Sequence, residues 1–246
     1  MSHIHVPDGI IPAIWWVSGY VGTCIVIYFI MKSLDKEEVR QKIPFTGIAA
    51  AIMLIGMSVP LVIVPLHLSL AVLTGILIGP KLGFLAVFVV NLILALFGHG
   101  GITIVGLNTL VIGSEVAIGF YLFRYLSNNY HKVTSTVIAT VVALVVSMTL
   151  MVSFVAITAD VTEALPHHHA EGVTQEVTYE DDSSTQYGEG LQQEIASMRY
   201  FMFSGWIAVL LILLGGIALE ATGTALIVRY FLKVRPDLIL SPAEKV

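Results

Sequence analysis

The chain has 246 residues, of which 57% are hydrophobic and only 12% charged, with mean hydropathy +0.89 and formal net charge −5. Soluble domains carry roughly 25% charged residues, so a soluble core cannot absorb this much apolar surface. The single cysteine, Cys24, lies in an apolar run and excludes an intrachain disulfide framework.

A helix crossing about 30 Å of hydrocarbon needs about 20 apolar residues. Such runs recur and predict an all-α, polytopic membrane protein of seven spans, at about 10–31, 45–64, 66–79, 82–98, 105–127, 134–158 and 200–232. The third is short enough to be partly inserted, and the last is long enough to tilt or protrude. No Lys or Arg precedes the first run, which is as long as a full span, so a cleaved signal peptide is not expected.

Basic residues sort the loops, because Lys and Arg near span ends are retained in the cytoplasm. Lys32, Lys36, Arg40 and Lys42 follow span one, Lys81 follows span three, and Arg124 and Lys132 follow span five. Arg229, Lys233, Arg235 and Lys245 lie at or beyond the end of span seven, and Arg199 alone falls on the opposite side. The N-terminus is therefore expected outside and the C-terminus in the cytoplasm of a multi-pass plasma-membrane protein. One membrane domain over 1–246 is expected, with an extracytoplasmic loop at about 159–198 that holds acidic residues and no Lys or Arg before Arg199. Within it, residues 180–190 (EDDSSTQYGEG) read as disordered.

No Gly-rich segment ends in Lys followed by Ser or Thr, so ATP hydrolysis by this chain is not expected; no HExxH pair marks an intramembrane zinc protease. Histidine remains. His3 and His5 lie in the first residues, His67 opens the third span, and His99 sits at an outer helix end in Gly98-His99-Gly100-Gly101. On the expected topology all four occupy the outer half, and imidazole suits nickel, cobalt, copper and zinc.

The N-terminus permits a specific chelate. A free amine, the next amide nitrogen and an imidazole one or two residues along can wrap one metal in adjoining rings, giving a nitrogen plane suited to Ni(II) or Cu(II). With Met1 removed, Ser2-His3 places histidine second; with Met1 retained, it is third. The bland alternative is a frayed terminus with no role, against which Pro7-Asp8-Gly9 reads as a turn folding the terminus back.

Asn108 and Thr109 are candidates to orient a ligand histidine, or else simple helix-packing contacts. Glu115 and Glu220 fall inside apolar spans, where a bare carboxylate costs about 2.5–3.5 kcal/mol, so each is expected to be paired, protonated or facing water; interhelical contact is one reading and metal ligation the lesser alternative. His131 beside Lys132 reads as solvated. His167, His168 and His169 in the acidic loop form a tract that gathers metal cations or is merely solvated.

These pieces occur in one order: His5-Val6-Pro7-Asp8-Gly9, His67 within HLSLAVLTGILIGP, GHGGITIVGLNTL at 98–110 and EATGTALIVRYFLKVRPDL at 220–238. In that order the chain resembles the CbiM/NikM family, the metal-binding permease of energy-coupling-factor cobalt and nickel importers. The resemblance runs from residue 5 to residue 238 outside the acidic loop.

It implies a seven-span bundle with an inward-tucked N-terminus, and no enzymatic activity. Metal would be held by the terminal amine, the second residue's amide and imidazole, and a later histidine where His67 stands. No prosthetic group is implied; Ni²⁺ or Co²⁺ is cargo. Implied partners are a coupling transmembrane subunit, two ATPase subunits and a small accessory membrane subunit, with no nucleic acid.

This chain departs from the family pattern at its start, where Met-Ser-His-Ile-His replaces Met-His. Alignment to Pro7-Asp8-Gly9 favours His5 and terminal chelation favours His3. The segment before His67, LVIVPL, is apolar where relatives are rich in Gly, Ser and Thr. The acidic loop has no counterpart in that pattern. Two rivals are a stand-alone secondary metal transporter, with Glu115 or Glu220 relaying protons, and a membrane metal-dependent enzyme.

Overall fold

The computed structural model describes residues 13–58, 67–98, 100–158 and 186–239. Every regular element among them is helical: α1 (Ala13–Ser33), α2 (Lys36–Ser58), α3 (Ala71–Ile78), α4 (Pro80–Leu96), α5 (Val105–Leu126), α6 (Lys132–Thr158) and α7 (Gln186–Val234), with 3-10 turns at Ile102–Ile104 and Pro236–Leu238. Among the described residues, four stretches are long and apolar enough to cross a membrane: Ala13–Ser33, Ile102–Leu126, Lys132–Phe154 and Leu210–Val234. Lys42–Ser58 and Pro80–Leu96 are shorter apolar helices. Chain and fold are those of a polytopic membrane protein.

Three boundaries differ from the sequence expectation. The helix α2 starts at Lys36, so Lys36, Arg40 and Lys42 lie on helix rather than in a loop. The helix α7 starts at Gln186, so residues 186–190 are helical where the acidic composition read as disorder. The third helix starts at Ala71, not near 66, and His67 therefore precedes a helix instead of opening one.

At eight residues α3 rises only about 12 Å and cannot cross a membrane. It is instead the core around which the longer helices pack. Ala71 joins Met53 and Met57 of α2, Val87, Val90 and Leu94 of α4, and Ile112 and Val116 of α5 in one buried cluster. Val72, Leu73 and Ile76 join Phe123 of α5, Ala139 and Ala143 of α6, and Val228 of α7 in another. Through these clusters α3 meets α2, α4 and α5 on one side and α5, α6 and α7 on the other.

Lipid tails are as apolar as leucine, so close backbone approach rather than expulsion from water holds such helices together. A Cβ on Gly106 would lie 2.5 Å from the Tyr20 backbone nitrogen, which marks where α1 crosses α5. At that crossing Thr23 Oγ1 donates to the Gly106 carbonyl at 2.8 Å, and Tyr20 Oη donates to the Ile102 carbonyl. The outward face of α1 exposes Ile14, Val21, Ile25, Tyr28 and Phe29, as a lipid-facing surface does.

The ends of the bundle differ. Leu34, Val39, Phe45 and Ala49 pack with Ile78 and Leu82, Lys81 Nζ donates to the Ser33 carbonyl at 2.9 Å, and the Arg235 guanidinium lies 5.6 Å from the Phe45 ring centre. The α1–α2 and α3–α4 junctions and the end of α7 therefore share one basic pole. At the opposite pole Trp15 of α1 packs with Ile104, Leu107, Met151 and Phe154. This alternation is the one that the loop charges predict.

Candidate functional site

His67, Leu68, Ser69 and Leu70 are non-helical, and they join α2 to α3 through residues 59–66, which lie outside the described set. Irregular backbone at membrane depth is tolerated only where protein satisfies its polar groups. Here each successive amide finds a partner. Leu68 N donates to the Gly56 carbonyl at 3.0 Å. Ser69 N donates to Glu220 Oε2 at 3.2 Å and Leu70 N to Glu220 Oε1 at 2.9 Å. Ala71 N donates to Ser69 Oγ at 3.3 Å.

Two intramembrane carboxyl groups meet on this segment. Ser69 Oγ lies 2.8 Å from Glu115 Oε1 and 2.5 Å from Glu220 Oε1, and all three residues are fully buried. The Ser69 hydroxyl thus bridges the two carboxyl groups. Glu115, on α5, lies 11 residues from Leu126 and 10 from Val105, about 16 Å and 15 Å along the axis. The trio is thus near mid-depth.

Leu70, immediately before α3, has φ +52°, a left-handed conformation that only a non-glycine held by its surroundings retains, at roughly 1–3 kcal/mol. The Glu220 carboxyl, accepting from Ser69 and Leu70, supplies that hold. It also sits at the amino-terminal end of α3, where a helix dipole favours negative charge. Gly56 makes the opposite wall: a Cβ there would meet the Leu68 carbonyl oxygen at 2.8 Å.

His67 is half-buried at the head of this braced segment. The other histidine candidates, His3, His5, His99, His167, His168 and His169, lie outside the described residues, as do Met1 and Ser2. Asn108 is half-buried on α5, while buried Thr109 accepts from Asn91 Nδ2 of α4 at 3.3 Å, the helix-packing alternative expected for it. Sequence reading singled out Glu115 and Glu220 as interhelical contacts. It read Ser69 only as one of the small residues, with Ala71, Thr74 and Gly75, that permit close helix approach, and not as the residue that joins the two carboxyl groups. Among the described residues no group of three His, Cys, Asp or Glu side chains could hold a metal ion.

Comparison with known proteins places this geometry in a family. The family model described as the cobalt uptake substrate-specific transmembrane region, CbiM, matches residues 5–238. A metal transport protein of Haloquadratum walsbyi is 32% identical over 126 residues, covering 49% of this chain and 58% of that protein. A fused nickel transport protein, NikMN, of Rhodobacter capsulatus is 31% identical over 125 residues, covering 48% and 36%. A metal transport protein of Methanocaldococcus jannaschii is 28% identical over 139 residues, covering 54% and 62%. The match thus spans between about a third and two thirds of these relatives' own length. The crystal structure of a transition metal transporter superposes with TM-score 0.64 at 23% identity, covering 94% of this chain and 93% of that one, which establishes a shared fold. With residues 5–238 matched by one family model, the chain belongs to the CbiM family, the substrate-specific transmembrane region of cobalt uptake.

Proposed function

We propose that this chain is the metal-capturing permease of an energy-coupling-factor importer for Ni²⁺ or Co²⁺, with His67 as one ligand and the N-terminal segment supplying the others. The observation that carries this reading is the placement of His67 on a short segment whose following four amides are all satisfied by protein. A ligand imidazole needs such a rigid base. Where the mature chain starts at Met1 or Ser2, the amine, an amide and the imidazole of His3 complete a nitrogen set, and His5 is the alternative donor. Asn108 and His99 are the candidates to orient the ligands, and His167, His168 and His169 to gather cations before capture.

Transport energy would come from partners: a coupling membrane subunit, two ATPases and a small accessory membrane subunit. The basic pole, facing the cytoplasm in this reading, is the end available to them. A fused nickel transport relative supports the choice of metal class and of further subunits. The rival secondary transporter would use Glu115 or Glu220 to relay protons; both are fully buried, and each contacts Ser69.

The test is reconstitution into vesicles, with the chain alone or joined by the coupling subunit and ATPases of its own source. Accumulation of ⁶³Ni or ⁵⁷Co above equilibrium only with those partners and ATP supports the importer. Concentrative uptake by the chain alone under a proton gradient overturns it in favour of the secondary transporter.

A further inference from the structure

We infer that Glu220 is a positioning residue for the metal site: from the last helix it fixes the backbone that carries His67, without touching the metal. The inference rests on the reading of His67 as a ligand. Three donors converge on the Glu220 carboxyl, namely Ser69 N, Ser69 Oγ and Leu70 N, from residues 151 and 150 positions away. They begin two residues after His67 and include the one non-glycine residue with positive φ among the described residues. A segment this short, with its left-handed residue clamped, transmits the carboxyl's position to the histidine.

Both carboxyl oxygens are used, one by Ser69 N and the other by Leu70 N and Ser69 Oγ. An amide cannot reproduce this. In Glu220→Gln one oxygen becomes an NH₂ group facing a backbone N–H, so one end of the clamp becomes repulsive. Glu115 meets the segment through the Ser69 hydroxyl, which lies 2.8 Å from its Oε1. An NH₂ group at that position can donate to the hydroxyl oxygen, so Glu115→Gln is the milder change.

The clamp joins α7 to the head of α3, and α7 runs on to the basic pole at Arg235. A displacement of α7 is thereby coupled to the His67 backbone. That gives the site a mechanical link to the end at which partners would act.

The experiment is Ni²⁺ titration of the full chain in detergent, followed by calorimetry and by the ligand-field absorption of the saturated protein, with thermal melting in parallel. Glu220→Gln is expected to weaken Ni²⁺ binding about 10- to 100-fold, the range for residues that orient metal ligands, and to shift the absorption bands of the saturated site. Glu115→Gln should lose less than Glu220→Gln. A purely structural role would lower the melting temperature and leave affinity and spectrum of the folded protein as in the native chain, and that result overturns the inference. Should Glu220→Gln fail to fold, Ser69→Ala removes only the hydroxyl and is expected to weaken binding about fivefold, the equivalent of one hydrogen bond; native affinity and spectrum there overturn the inference equally. His67→Ala, run alongside, separates the two levels. Native binding in that variant overturns the ligand reading itself, whereas lost binding there with native binding in Glu220→Gln overturns only the positioning role.

Discussion

Glu220 on α7 and Ser69 before α3 make two contacts across 151 residues of sequence, backbone N–H to Oε2 at 3.2 Å and hydroxyl to Oε1 at 2.5 Å. A carboxyl group that would cost several kcal/mol alone in hydrocarbon is thus converted into the cap of a buried half-length helix. The same pairing closes the non-helical break at His67.

Removing that cap leaves buried donors without an acceptor. Glu220→Ala is expected to destabilise the protein by about 1–3 kcal/mol for each buried donor left unsatisfied. Thermal melting in detergent checks this, with a clear fall in midpoint expected.

Gly56 is the second brace. Alanine there would press on the Leu68 carbonyl oxygen at 2.8 Å and on Leu70 Cδ1 at 3.2 Å, so the segment bearing His67 must move. A loss of about 1–3 kcal/mol is expected, together with weaker metal binding. Gly47, with nothing within 4 Å of its would-be Cβ, accepts alanine without loss, and the pair should be compared by melting.

The α1–α5 crossing combines hydrogen bonding with close backbone approach. Thr23→Val removes a buried hydroxyl from the Gly106 carbonyl at a cost of about 0.5–1.5 kcal/mol. Gly106→Ala forces the backbones apart, since Tyr20 N lies 2.5 Å from the new Cβ, and is expected to cost more. Ranking the two variants by melting temperature checks the order.

The helices were legible from apolar run length, and the basic pole from the Lys and Arg pattern, because both follow from one-dimensional constraints of the bilayer. The break at 67–70 was not legible. HLSLAVLTGILIGP is mostly apolar and reads as helix from His67, while its non-helical residues before Ala71 are held by Glu220 and Gly56, distant in sequence. Likewise, residues 186–190 read as disordered from their own composition but belong to the start of α7. Two intramembrane glutamates announced a pairing; that they meet on Ser69 depends on how α3, α5 and α7 pack.

A bound metal should stabilise the folded protein. At a hundredfold excess over the dissociation constant, about 2.7 kcal/mol of added stability is expected, seen as a rise in melting temperature with Ni²⁺ or Co²⁺. A chelator should reverse the rise, and His67→Ala should not show it.

The central claim is that His67 and the N-terminal segment hold the cargo metal together. Native mass spectrometry of the purified chain with limiting Ni²⁺, compared with His67→Ala and with a variant carrying one extra residue before Met1, tests it most directly. The account predicts one metal ion per native chain and none in either variant. One ion retained in both variants would contradict it and move the site elsewhere.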